Sequence, residues 1–204
     1  MIIYLAIKAC EMLERWCRIF SLWRLARRHR DWLKTHDHGW GTLGFAFVRL
    51  GYFGLGIKAM ADWRERSGLK MWMLLNLAIA LRQKRRWNEL RSMLERAMTL
   101  ERDGVFPKIR LMYALEQALQ GNTSEAAGHF REIDATALSN YMHVQHRCLQ
   151  GLLAVQQAPA GQRRKVLREE REGVMRAVRQ YHAANSRTDY PRCIARMEAD
   201  AKRE

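Results

Sequence analysis

Apolar residues recur every three or four positions along most of the chain, which is the spacing of helices that bury one side. The first such stretch covers residues 2–23, where charges such as Lys8 and Glu11 fall on the opposite side. This pattern predicts an N-terminal amphipathic helix within residues 1–34. Its apolar face comprises Ile2, Leu5, Ala9, Met12, Leu13, Trp16, Cys17, Phe20 and Trp23.

A dense basic cluster follows this face and consists of Arg24, Arg27, Arg28 and Arg30. Arg24 and Arg27 continue the apolar face, so we expect the packed helix to end or change direction near residue 24. Three roles are open for this segment: a helix that caps the fold, an interfacial membrane helix, or a helix for partner binding or self-association. The arginines themselves are a candidate anion or membrane patch.

The middle of the chain repeats itself at an offset of 34 residues. The stretch from Trp40 to Phe47 aligns with that from Leu74 to Leu81, and the match continues beyond it. Phe53 lies over Trp87, Gly56 over Leu90, Met60 over Leu94 and Trp63 over Ala97. A fixed period of this length is typical of arrays of helix pairs.

These residues resemble the tetratricopeptide repeat (TPR) family, whose units place a large residue before a Leu–Gly or Leu–Ala pair and small residues in the second helix. The first copy carries Trp40, Leu43, Gly44, Ala46, Phe47, Gly51, Phe53 and Gly56 at the matching positions. The resemblance implies an all-α protein. It would be an α-α superhelix, a short solenoid of about three to four TPR-like helix pairs, with an N-terminal amphipathic helix and a C-terminal capping helix.

The predicted organisation has four parts. They are 1–34 for the amphipathic and basic helix, 35–136 for the repeats (copies at about 39–70, 71–104 and 107–136), 137–190 for a further helix pair or cap, and 191–204 for a tail. The third copy is weaker, because Arg110 and Gln117 replace bulky apolar residues. The further pair is expected at Tyr141–Val155 and Arg163–Tyr181, and the tail is expected to be frayed.

In this family the first helices of successive pairs line a concave groove, and the resemblance implies such a groove here. Carried over position by position, it contains Phe45, Val48, Arg49, Trp72, Leu75, Asn76, Ile79, Arg82, Lys108 and Leu111, with His38, Gly41, Gln83, Leu115 and Ala118 beside them. This surface is apolar with basic edges, which favours an apolar or helical peptide with acidic flanks. A clamp for a peptide's terminal carboxylate is not expected, because Leu75 and Ile79 stand where it needs polar residues. A terminal helix of the chain itself is the competing occupant.

The chain carries 36 Lys and Arg against 21 Asp and Glu, a formal net charge of +15. Such an excess favours acidic partners of several kinds. The repeat resemblance favours a non-enzymatic protein-interaction module: an adaptor, a chaperone or an assembly factor. The alternative is a basic protein that binds nucleic acid or an anionic membrane through Arg-rich patches at 24–30, 82–86 and 163–179.

The sequence contains no catalytic motif: a phosphate-binding glycine loop, HExxH and GxSxG are all missing from it. We therefore expect neither an enzyme nor a cofactor. Two sets hold metal-ligand residue types without a full shell, so no metal site is expected. They are His36, Asp37 and His38, and His143, His146 and Cys148. The four cysteines form no CxxC pair and are expected to be reduced and buried.

The start of the chain lacks a basic n-region and a small-residue cleavage site, and its apolar run is too short to span a bilayer. These features predict a cytoplasmic protein. A peripheral position at the membrane is the variant that the N-terminal helix would produce.

Overall fold

The computed structural model of the protein describes residues 15–100, 107–181 and 190–202. All regular structure in these ranges is helical, so the predicted all-α class is confirmed for them. The α-helices are α1 Arg15–Arg28, α2 Arg30–Thr35, α3 Asp37–Arg49, α4 Phe53–Ala59, α5 Met71–Gln83, α6 Trp87–Leu100, α7 Pro107–Gln120, α8 Thr123–Arg131, α9 Asn140–Gln157, α10 Arg163–Gln180 and α11 Tyr190–Ala201. Short 3-10 turns lie at Ala135–Ala137 and Ala160–Gln162.

The chain folds as two compact units with their boundary between Ala97 and Met98. This boundary falls inside the stretch 35–136 that the sequence predicts as one repeat array. The first unit holds α1 to α6 and the second holds α7 to α11, with the last residues of α6 beyond the boundary.

In the first unit the repeat is visible in the helix bounds themselves. α3 and α5 begin at Asp37 and Met71 and end at Arg49 and Gln83, so both ends differ by the predicted offset of 34 residues. α3 packs against α4 as a hairpin, and α5 packs against both of them. The helices α1 and α2 pack on α3 from the N-terminal side.

Close packing of the first hairpin depends on two small residues. A Cβ on Gly44 would lie 2.3 Å from the Sδ of Met60, and a Cβ on Gly56 would lie 2.9 Å from the Cγ2 of Val48. Both distances are well below van der Waals contact, so a side chain at either position would force α3 and α4 apart. This bears out the packing role that the sequence assigns to both glycines.

Three hairpin turns share one backbone geometry. Gly51, Arg85 and Gly121 follow the first helix of each pair and have positive φ angles of 83°, 55° and 95°. In all three turns the N–H of this residue donates to the carbonyl three residues back at 3.0 Å, and the next N–H donates five residues back at 2.9–3.0 Å. These two bonds define the Schellman cap, which favours glycine at the left-handed position.

Arg85 is the exception to glycine at this position, and we predict that Arg85→Gly raises the free energy of unfolding by about 0.5–1 kcal/mol. The reason is that a left-handed backbone costs an L-residue with a Cβ more than it costs glycine. Urea denaturation would measure the change. Arg85→Ala is the control and should change little, because it removes the exposed side chain and keeps the Cβ. A gain in the alanine variant equal to that in the glycine variant would show that backbone strain is not the cause.

In the second unit, polar pairs replace the apolar contacts that the third copy lacks. Arg110 of α7 forms an ion pair with Glu132 just beyond α8. The hydroxyl of Tyr113 donates to Glu125 of α8 at 2.6 Å, and the amide of Gln117 donates to the same carboxylate at 3.4 Å. The hairpin α7–α8 therefore forms despite the weak match, because its polar residues have polar partners.

The remaining helices of the second unit stack as the earlier ones do. α9 packs against both α7 and α8, and α11 packs against both α9 and α10. The helix pair predicted at Tyr141–Val155 and Arg163–Tyr181 is confirmed within two residues at each end by α9 and α10. Cys148 and Cys193 are buried and free, whereas Cys10 and the side chain of Cys17 lie outside the described residues.

The prediction of a frayed tail after residue 191 is wrong for the residues that the structure describes. α11 runs to Ala201, and Cys193, Met197 and Ala201 are buried along one side of it. Their spacing of four residues is that of a helix face. Pro191 does not break this helix, because it lies in the first turn, where its missing N–H has no helical partner to lose.

Candidate functional site

The apolar residues predicted to line the groove lie on two neighbouring helices of the first unit. Phe45 projects from α3, and Trp72, Leu75 and Ile79 project from α5; all four are half-buried. Because α3 and α5 pack side by side, these side chains form one surface, which we call the α3–α5 face. Exposed Arg49, one turn beyond Phe45, gives it a basic edge.

Contacts across the two helices fix the position of Trp72. A Cβ on Gly41 of α3 would lie 3.0 Å from the Cη2 atom of Trp72, so the indole ring rests against the bare backbone there. The ring of His38 meets Trp72 edge-on, with centroids 5.6 Å apart. The guanidinium of Arg49 lies 6.0 Å from the centroid of the Phe45 ring. Trp72 is therefore held in place before any ligand arrives, which lowers the entropy cost of binding.

Asn76 lies between these apolar residues but does not present a free amide. Its Nδ2 donates to the backbone carbonyl of Trp72, one turn earlier in α5, at 2.6 Å. This bond engages the amide within its own helix. The geometry agrees with the expectation that the face does not clamp a peptide's terminal carboxylate.

Three other residues of the predicted groove are buried and offer no surface to a partner. Val48 is 8% exposed, Arg82 is 6% exposed and Leu111 is 0% exposed. Val48 points toward α4, because its Cγ2 occupies the space that Gly56 leaves open. Leu111 and half-buried Lys108 belong to α7 in the second unit. The face with exposed apolar area therefore consists of α3 and α5 residues.

An anchor that the sequence analysis missed lies at the start of α3. The side chain of Arg66 is 4% exposed and donates to Asp37 at 2.7 Å, to Asp62 at 2.8 Å and to the carbonyl of Leu33 at 2.8 Å. Its guanidinium lies 4.6 Å from the ring centroid of Trp40, whose Nε1 donates to Asp62 at 2.7 Å. The only sequence signal is the four-residue spacing of Asp62 and Arg66, which many exposed ion pairs share.

The predicted arginine patch is exposed, but its helix differs from the prediction. α1 continues to Arg28 instead of ending near residue 24. It continues because Leu22, which is fully buried, packs into the core together with Leu25 and Ala26. Phe20 and Trp23, which the sequence assigns to the packed face, are instead 61% and 45% exposed. The part of that face at residues 2–14 lies outside the described residues.

The two candidate metal sets have other contacts. His36 stacks on Trp32 with centroids 4.2 Å apart, and Asp37 accepts the bond from Arg66. His143 stacks on Tyr181 at 5.0 Å. Nowhere in the described part of the chain do three His, Cys, Asp or Glu side chains come together to hold a metal ion.

His143 and His146 also line a polar cavity of about 340 Å³ between α9 and α10, together with Arg147 and Arg176. Burial lowers the pKa of His146 below its ordinary value, and the nearby charges of His143 and Arg147 act in the same direction. A neutral imidazole is therefore favoured there. Arg147 is already paired with Glu170, which reduces the positive charge available in the cavity.

Comparisons of the chain with protein-family models, with curated proteins and with solved structures found no match. Within residues 15–100, 107–181 and 190–202, every helix is too short or too polar to cross a lipid bilayer.

Proposed function

We propose that the protein is a non-enzymatic scaffold of TPR-like helix pairs. On this proposal the α3–α5 face binds an apolar or helical segment of a partner protein. The observation that carries the proposal is the cluster of Phe45, Trp72, Leu75 and Ile79, which keep exposed area on two adjacent first helices. Aromatic and aliphatic side chains that are held in place and half-exposed are typical of binding hot spots.

The repeat-like packing supports the scaffold part of this proposal. Within each unit the first helix of a later pair packs on both helices of the pair before it, as α5 does on α3 and α4, and α9 on α7 and α8. The shared Schellman turns indicate that the pairs are copies of one structural unit. Such pairs cannot bury their apolar sides alone, so stacked copies present long surfaces to partners.

The charge at the edge of the face favours a partner segment with acidic flanks. Arg49 is exposed at the C-terminal end of α3, and His38 lies at the other end beside Trp72. An amphipathic helix could place its apolar side on Leu75 and Ile79 and an acidic residue near Arg49. This is the helix-in-groove mode of recognition.

The competing occupant, a terminal helix of the chain, is favoured only in the second unit. There α11 packs along α9, and Arg192 of α11 reaches Glu116 of α7. The first helices of that unit thus already contact the chain's own C-terminal helix. We therefore assign partner binding to α3 and α5.

We predict that Trp72→Ala weakens binding of the partner by about thirtyfold, the loss typical of a tryptophan hot spot. The partner would be captured from native extract by the wild-type chain, identified, purified and titrated by isothermal calorimetry. Leu100→Ala is the control, because Leu100 is a large apolar residue, 41% exposed, on α6. Circular dichroism would show that both variants remain folded.

Equal affinities for the Trp72 and Leu100 variants would reject the α3–α5 face as the binding site. A charge exchange adds a second check on the same site. Arg49→Glu should weaken binding, and a Lys in place of an acidic flanking residue of the partner should restore it, because opposite charges are then paired again. Failure of every such exchange would remove the electrostatic part of the proposal.

A further inference from the structure

The exposed side of α1 combines aromatic and basic side chains. Phe20, Trp23, Arg24, Arg27 and Arg28 are all exposed. At about 100° per residue they fall within an arc of about 140° around the helix axis. The opposite side carries the residues that pack into the core of the first unit, which are Leu22, Leu25 and Ala26. The helix is therefore anchored by one side and presents the other to its surroundings.

The charge of this surface has one sign only. Six arginines and no Asp or Glu occur between positions 15 and 30, and the first acidic residue is Asp31. The only ion pair printed for Asp31 is with exposed Lys34 in α2, at 3.1 Å. The exposed arginines of α1 therefore favour a partner that carries many negative charges.

The two aromatic residues show which kind of anionic partner fits. Phe20 and Trp23 project side by side from a convex helix, with ring centroids 6.4 Å apart and tilted by 32°. Arg27 already covers one face of Trp23 at 5.2 Å. Stacking of nucleic-acid bases needs open ring faces on a platform, whereas insertion among lipid headgroups does not. Tryptophan and arginine side by side are typical of helices that lie in the membrane interface.

We propose that this side of α1 binds the surface of an anionic lipid bilayer. Phe20 and Trp23 enter the headgroup region, while Arg24, Arg27 and Arg28 pair with lipid phosphates and carboxylates. Because Leu22 holds α1 on the core, the first unit would lie on the membrane without a spanning segment. This inference concerns a different surface from the α3–α5 face and does not depend on partner binding there.

Vesicle flotation of the full chain tests the proposal at low salt. We expect the protein to float with vesicles of phosphatidylcholine and phosphatidylserine in equal parts, and to stay behind with phosphatidylcholine alone. Arg24→Gln/Arg27→Gln/Arg28→Gln should lower the partition coefficient by about tenfold or more. Phe20→Ser/Trp23→Ser should lower it by a similar factor at unchanged charge.

Two control variants separate this surface from general charge and general hydrophobicity. Lys165→Gln/Arg168→Gln/Arg179→Gln removes the same charge from exposed positions of α10, and Leu100→Ser removes an exposed apolar residue from α6. Both should keep wild-type flotation. Trp72→Ala should also keep it, so failure of the membrane proposal and failure of the α3–α5 proposal are distinguishable. Thermal unfolding would verify that each variant is folded.

Several outcomes would overturn the proposal. They include no flotation with the charged vesicles, equal losses in the α1 and α10 charge variants, and full flotation of the Phe20/Trp23 variant. Tight binding of a single-stranded oligonucleotide without vesicle binding would assign the arginines to nucleic acid instead. Loss of self-association in the Phe20/Trp23 variant, with flotation unchanged, would make the surface a contact between two copies of this chain.

Discussion

Asp62→Ala should lower the free energy of unfolding by about 3–5 kcal/mol, which is a large part of the stability of an ordinary domain. Asp62 accepts two bonds from Arg66, at 3.1 and 2.8 Å, and one from the indole of Trp40 at 2.7 Å. Arg66 is buried and would keep only Asp37 as a charged partner, while the Trp40 N–H would lose its acceptor. A buried guanidinium without enough negative charge is expensive.

Chemical denaturation followed by circular dichroism would measure this loss. Glu65→Ala is the matched control, because Glu65 is exposed and lies in the same turn. It should change stability by less than about 0.5 kcal/mol. Asp62→Asn should fall between the two, because the amide oxygen still accepts a bond but carries no charge. Equal stabilities for the alanine variants at 62 and 65 would show that the Arg66 cluster contributes little to the fold.

The repetitive part of the fold could be predicted from the sequence because its information is local. The apolar spacing and the offset of 34 residues locate α3 and α5 to the residue, and Pro107 correctly predicts the start of α7. Glycine at 51 and 121 likewise indicates where the hairpins turn. The third turn, at Arg85, carries no glycine and could be located only from the period.

The direction in which an amphipathic helix packs could not be predicted for α1. Its wide apolar arc includes both Leu22 and Trp23, and only contacts with distant residues decide between them. Leu22 meets a core that includes Leu33 and Leu43, whereas Trp23 is left outside. Side-chain periodicity shows that a helix has an apolar side but not which part of a broad side becomes buried.

Position in a repeat pattern also did not decide exposure along the predicted groove. Phe45 keeps exposed area while Val48, one turn away on the same helix, is buried. The difference arises from Gly56, which lets α4 approach closely enough for the valine methyl group to fill the gap. Long-range polar contacts such as Arg66 with Asp37 are hidden for a similar reason, since 29 residues separate the partners. Such pairs emerge only when the fold brings them together.

Arg192→Met should lower the free energy of unfolding by about 3–5 kcal/mol as well, because it leaves Glu116 buried without its partner. Glu116 of α7 is 4% exposed, and both of its carboxylate oxygens accept bonds from Arg192 of α11, at 2.8 and 3.2 Å. Hydrogen exchange should show earlier opening of α11 in this variant, because the bidentate pair joins α11 to α7.

The matched control is Arg171→Met, which removes an exposed ion pair with Glu198 on the same helix, 3.5 Å long. It should cost less than about 1 kcal/mol, because water already screens both charges. Adding Glu116→Leu to Arg192→Met should recover most of the loss, since the carboxylate is then no longer stranded in the core. If the double variant is as unstable as Arg192→Met alone, the arginine contributes through packing on α9 rather than through charge, and the ion pair is not what joins α11 to α7.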